Sequence, residues 1–201
     1  PVATASIAKV ITALCVLEKH PLELGEQGPT ITFSRGDAAL YKYQLEQNGS
    51  NIPVYEGSQM TEYEALEAML IPSANNIADS LAIWSFGSLD AYASYANDFV
   101  LRNELVKTHV GSDASGLDVS TTSTAEDISE LAEIARQEPV IMEIAAKKSV
   151  ELPNVGLVYN YNRALGVGGI NGLKTGNNDG NQGALAFTAD IRVAGKTIEI
   201  S

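Results

Sequence analysis

From Ala5 to about Lys19 the apolar positions nearly encircle the chain, which predicts a helix buried in the middle of the molecule. Residues 30–60 mix short apolar runs, "ITF" and "NIPVY", with several glycines and predict loops and short strands. Thr61 to Glu64 has the Thr-x-x-Glu form of a capping box and leads into "ALEAMLI". Pro72 breaks that helix, and "SANNIADSLAIWSF" and "LDAYASYANDFVLRNEL" predict two more. Ser123 to Glu126 forms a second capping box before "DISELAEIAR", and residues 139–148 predict a further short helix.

The period changes after Glu151. Gly166, Gly168, Gly169, Gly172 and Gly176 punctuate a strand-like region, and from Leu185 the pattern alternates. Leu185, Phe187, Ala189, Ile191 and Val193 fall on one side, and Ala186, Thr188, Asp190 and Arg192 on the other. Ala194-Gly195 predicts a tight turn, with Ile198 and Ile200 of "KTIEI" turned inward. A helical part over about 5–150 followed by antiparallel strands over about 151–201 predicts one α+β domain spanning 1–201, its sheet packed on a helical lobe. No internal repeat or interdomain linker interrupts it.

The 201 residues are 45% hydrophobic, enough for one sizeable core. No apolar run approaches the roughly 18 residues of a membrane span. No basic n-region of a signal peptide is visible at Pro1, which suits a trimmed mature protein and a cytosolic one equally. The single cysteine, Cys15, excludes an intrachain disulfide and reads as a small buried hydrophobe. His20 and His109 have no metal-ligand companions at useful spacing and read as surface or loop residues, so neither metal nor cofactor is expected. A net charge of −12 disfavours nucleic-acid partners and requires a local positive cluster to draw any anionic substrate.

Three short strings carry candidate chemistry. Ser6 and Lys9 stand at i and i+3, neighbours on a helix face. A serine hydroxyl needs a base, and a lysine serves only when neutral, a state that burial and a nearby helix N-terminus favour. Taken alone, Ser-x-x-Lys is common by chance. The second string, "PSANN", places Ser73 and Asn75 in a break between helices, where a hydroxyl could pass a proton and an amide could orient a substrate. Taken alone, a plain helix N-cap is the better explanation. The third, "GLKTG", puts Lys174, Thr175 and Gly176 at a sheet edge. There a fixed cation and a hydroxyl suit a carboxylate, and a glycine lets a ligand approach the backbone. An exposed Lys-Thr before a turn is its ordinary reading.

In this order, and in these elements, the three strings resemble the penicillin-recognising serine enzymes, namely penicillin-binding proteins and serine β-lactamases. "PVATASIAKVITALCVLE", "SANNIADSLA", "GSDASGLDVSTTSTAEDISELA" and "YNYNRAL…GINGLKTGNNDGNQGALAFTA" narrow the resemblance to low-molecular-mass D-alanyl-D-alanine carboxypeptidases over nearly the whole chain. The resemblance implies a β-lactamase/transpeptidase-like fold. Ser6 would attack the D-Ala-D-Ala carbonyl, Lys9 would act as its base, and Ser73 would relay a proton to the leaving D-alanine. Asn75 would hold the substrate amide or position Lys9, while Lys174 and Thr175, beside Gly176, would bind the terminal carboxylate. The N–H groups of Ser6 and Asn177 would form the oxyanion hole. It also implies peptidoglycan stem peptides as substrate, β-lactams as acylating inhibitors and an extracytoplasmic location.

Five residues precede Ser6 and the chain stops at Ser201, so the family's N-terminal strands and C-terminal helix are expected to be missing from this chain. A β-lactamase of the class A type would add a Glu-x-x-Leu-Asn string between the second and third motifs, and none is present. A transpeptidase or esterase of the same fold and a non-catalytic wall-binding module stay open as alternatives.

Overall fold

Every residue from Ala8 to Leu17 is buried, Lys9 included, so helix α1 (Ala8–Lys19) runs through the middle of the molecule as its nearly all-apolar sequence requires. The computed structural model describes residues 1–177 and 183–201. A 3₁₀ turn over Ala5–Ile7 leads directly into α1. Strand β1 (Val2–Ala3) precedes that turn and pairs antiparallel with β4 (Thr122–Ser123).

Residues 30–60 hold more helix than their pattern predicts. Between β2 (Thr30–Thr32) and β3 (Gln59–Thr61), which pair with each other, lies helix α2 (Arg35–Glu46). It buries Gln44 and no apolar residue, so it carries no apolar stripe to be read. What starts it is a capping box in which Ser34 accepts from the backbone of Gly36 and Asp37, and Asp37 accepts from that of Ser34.

Helices α3 (Glu62–Leu70) and α4 (Asn75–Phe86) lie on either side of the Pro72 break, and the Thr61–Glu64 box is formed as expected. Helix α5 (Leu89–Arg102) follows. The second box does not form as its pattern suggests, and a single side-chain cap one residue later takes its place. Thr124, accepting from Asp127 N at 3.2 Å, caps α6 (Ala125–Arg136). Ser123 is held in β4, and its hydroxyl faces Thr108 Oγ1 at 2.7 Å. Helix α7 (Pro139–Ala145) is the short helix expected there.

A hairpin of β5 (Ser149–Leu152) and β6 (Gly156–Tyr159) leads to the main sheet, whose order is β7 (Ile170–Asn177), β8 (Gly183–Val193), β9 (Lys196–Ile200), all antiparallel. The turn at Ala194-Gly195 has positive φ at both residues, +48° and +81°, as a two-residue hairpin with right-handed strand twist demands. The alternation of β8 does not translate into one buried and one exposed face. Its small residues Ala186, Thr188 and Ala189 are buried, whereas Leu185 and Val193 are exposed. Ile198, expected inward, is 45% exposed. The helices approach the sheet through α6 on the central strand β8 and α7 on β7, where short side chains permit close contact. Strand β7 is a free sheet edge, and it lies against the 3₁₀ turn.

Candidate active site

Ser6 sits in the 3₁₀ turn that introduces α1, not in the helix proper. The residue before it, Ala5, has φ +48°, a left-handed conformation that costs a non-glycine residue about 1 kcal/mol and is tolerated where surrounding structure enforces it. Two glycines enforce it here. A Cβ on Gly116 would lie 2.1 Å from the Ala5 carbonyl oxygen. A Cβ on Gly176 of β7 would lie 3.1 Å from Ala5 Cβ and 3.3 Å from Ser6 N. Backbone from two remote segments thus encloses the serine turn, and only residues without side chains permit it.

Lys9, one turn on, is fully buried. Its Nζ lies 2.8 Å from Ser6 Oγ, 2.7 Å from Asn75 Oδ1 and 2.9 Å from the Ser115 carbonyl oxygen. Burial holds its pKa well below the ordinary lysine range, and the Lys174 cation acts in the same direction. A neutral amine has two N–H donors and one lone pair. Two of its three partners here are carbonyl oxygens, which only accept. They take the two N–H groups, and the lone pair is left facing the Ser6 hydroxyl, the one partner that carries a proton to give. The geometry brings a hydroxyl within reach of an amine that could take its proton.

Asn75 is held at both ends of its amide, because its Nδ2 donates to Gln44 Oε1 at 3.0 Å. It therefore presents its oxygen to Lys9 and stands behind the lysine. On the other side of the cleft Lys174 donates to Ser73 Oγ at 3.0 Å and to the Thr175 carbonyl at 2.9 Å. Ser73 has φ +62°, a second left-handed non-glycine residue at the site. The exposed, fixed cation expected at position 174 is neither. Lys174 is 2% exposed, and burial brings its pKa down to about 7, so it titrates near neutrality.

Ser6, Ser73, Thr175, Gly176 and Asn177 line one cleft of about 370 Å³; Lys9 and Lys174 do not line it, and each is hydrogen-bonded to a lining serine, Ser6 and Ser73 respectively. Its remaining lining comes from Ser50 and Tyr161, neither singled out by sequence. The Tyr161 loop is fastened on both sides. Asn160 Nδ2 donates to the Lys147 carbonyl at 3.0 Å, and Asn162 Oδ1 accepts from Ala164 N at 3.1 Å. Gln44 and Ser115 also escaped sequence reading. The first lies in a helix without an apolar signal, and the second acts through its backbone carbonyl. Among the described residues no group of three or more His, Cys, Asp or Glu side chains is placed to hold a metal.

Fold and site together define a serine hydrolase of the penicillin-recognising class. The chain belongs to the D-alanyl-D-alanine carboxypeptidase family, whose model matches residues 1–196. A D-alanyl-D-alanine carboxypeptidase from Mycobacterium tuberculosis is 25% identical and superposes with a TM-score of 0.81, over 99% of this chain and 72% of that one. A peptidoglycan synthesis regulatory factor from Streptococcus pneumoniae is 26% identical, with a TM-score of 0.80 over 99% of this chain and 59% of that one. The Streptomyces K15 DD-transpeptidase, 20% identical, shares the fold with a TM-score of 0.80 over 99% of this chain and 79% of its own. A search of curated protein sequences finds no match. The chain is a DD-peptidase of the penicillin-binding fold.

Proposed function

We propose that this chain is a serine D-alanyl-D-alanine carboxypeptidase that trims the terminal D-alanine of peptidoglycan stem peptides through an acyl-enzyme on Ser6. The observation that carries the proposal is the placing of Lys9, whose 2.8 Å contact with Ser6 Oγ is the one of its three contacts that can give it a proton. In the first step the Ser6 Oγ–carbon bond forms while the hydroxyl proton passes to Lys9. The oxyanion is received by the N–H groups of Ser6 and Asn177. As the tetrahedral adduct collapses, the C–N bond breaks, Ser73 hands its hydroxyl proton to the departing amine, and the proton held by Lys9 replaces it on Ser73, which leaves Lys9 neutral again. Lys9 then takes a proton from the water that attacks the ester carbonyl, and returns it to Ser6 Oγ as the carbon–Oγ bond breaks and the shortened peptide leaves. Lys174, Thr175 and the Gly176 backbone receive the terminal carboxylate, whose charge draws Lys174 to its protonated form.

β-Lactams would enter by the same attack and remain as slow acyl-enzymes. Family membership supports an extracytoplasmic site of action on the cell wall, and no helix among the described residues is long and apolar enough to cross a membrane. Incubation with a fluorescent penicillin tests the proposal: a covalent band and a mass increase on the Ser6 peptide are expected, and Ser6→Ala should lose both. Release of D-alanine from a pentapeptide, with and without an amine acceptor, separates carboxypeptidase from transpeptidase. A folded protein that takes no label and frees no D-alanine would refute the reading.

A further inference from the structure

Helix α4 carries a second polar residue one turn after Asn75, on the same face. Asp79 is buried, and its Oδ1 accepts from Ala114 N at 3.0 Å. Ala114 begins the stretch that reaches Lys9. Its carbonyl accepts from Thr12 Oγ1 at 2.7 Å, and the next carbonyl, of Ser115, accepts from Lys9 Nζ at 2.9 Å. The residue after that is Gly116, which lies against Ala5 beside the nucleophile. Helix α1 thus holds the 113–116 loop by two carbonyls, and Asp79 of α4 holds it by an N–H. We propose that Asp79 is a positioning residue for the general base: it fixes the loop that gives Lys9 its carbonyl partner, and its negative charge opposes the loss of the lysine's proton.

Three charged groups act on Lys9: Lys174 from β7 favours the neutral amine, whereas Asp113 from the loop and Asp79 from α4 favour the ammonium form. Asp79 in turn is faced by Asp113 and Lys9, and burial brings its carboxyl to about 7. Asp113 is committed within its own loop, accepting from the Ser115 hydroxyl at 2.5 Å and from Leu117 N at 2.9 Å. Asp79 is thus the carboxylate that joins the helix carrying Asn75 to the loop carrying Ser115. One side chain thus fixes the loop that positions the base and adds its charge to the larger effects of burial, Lys174 and Asp113.

The inference rests on Lys9 acting as the base that activates Ser6. Its test is the rate of Ser6 acylation by a fluorescent penicillin, measured on the full chain from about pH 5 to about pH 10. Asp79→Asn keeps an acceptor for Ala114 but removes the charge. It should stay within about threefold of the unsubstituted rate at high pH and move the acid limb of the profile down by about half a unit or more. Asp79→Ala leaves a buried N–H unpartnered and should lose about tenfold or more at every pH, a loss that Asp79→Asn largely restores. An unmoved acid limb in Asp79→Asn would overturn the proposal. So would equal losses in the two variants in step with their melting temperatures, the result of a purely structural role. If Asp79→Ala does not fold, the Asp79→Asn profile decides alone. Absence of Ser6 labelling in the unsubstituted chain would instead count against the acyl-enzyme, which keeps the two failures apart.

Discussion

Gln44 Oε1 accepts from Asn75 Nδ2 at 3.0 Å, so a helix outside the three motifs dictates which end of the asparagine amide meets Lys9. Turned over, that amide would offer an N–H to an amine that needs an acceptor, and the lone pair of Lys9 would no longer be reserved for Ser6. Gln44→Leu should slow acylation by about tenfold or more while leaving the melting temperature within a few degrees. Stopped-flow labelling with a chromogenic β-lactam measures the first, and calorimetry the second. A change in stability with no change in acylation would show that the amide keeps its orientation without Gln44.

Lys9→Arg keeps a cation at the position but cannot become neutral. Acylation should fall below detection at every pH, and raising the pH should recover nothing. A variant whose labelling returns at alkaline pH would show that a second group can take the Ser6 proton.

Lys174 sets the opposite limb of the pH profile. With a pKa of about 7 in the free protein it loses its proton as pH rises, and with it the attraction for a substrate carboxylate. kcat/KM for a peptide ending in D-Ala-D-Ala should therefore fall above about pH 7, by up to about tenfold per unit. In Lys174→Arg the absolute rate should be lower but the alkaline fall should vanish over the same range. A fall of the same shape in both proteins would assign the limb elsewhere.

Gly176→Val tests the closeness of β7 to the nucleophile. Its Cβ would press on Ala5 Cβ and on the Thr4 carbonyl oxygen, each 3.1 Å away, and displace the serine turn. A shift of about 1 Å at a reacting atom can cost about a hundredfold in rate, and that is the expected loss in labelling. A crystal structure of the variant should show the displacement in residues 4–6.

Glu62, at the start of α3, is fully buried, and among the described residues neither carboxylate oxygen has a hydrogen-bond partner. Burial raises its pKa to about 7. Between an unfolded value of about 4.3 and that folded value the native state holds the extra proton, so this residue's contribution to stability is lost as pH rises through the interval. Glu62→Gln should stabilise the protein by about 1–3 kcal/mol at pH 8 and hardly at pH 4, read from denaturant midpoints at the two pH values. A gain of equal size at both would remove ionisation as the cause.

The candidate site was legible in the sequence where the proposed chemistry calls for particular side chains at fixed intervals. Ser6 and Lys9 are one turn apart, and "PSANN" and "GLKTG" lie at a helix break and a sheet edge. What orients those side chains was not legible. Gln44 sits in a helix that buries no apolar residue, so hydrophobic periodicity could not find it. Ser115 contributes a carbonyl, a group every residue has. The charge state of Lys174 depends on its burial, which no local pattern encodes. The inward side of the sheet was misread for a related reason. Ala186 and Ala189 are buried because helices come close there, while the larger Leu185 stays exposed.

The two glycine contacts around Ala5 divide this enzyme into parts with unequal freedom to change. Around Ala5 the chain is packed so closely that a side chain at Gly116 or Gly176 would press on the turn that carries Ser6. The rim of the cleft is built from side chains that project outward, among them Tyr161, which is 59% exposed. A change in substrate preference, by natural drift or by engineering, therefore has to be written along the rim, leaving the reaction itself intact.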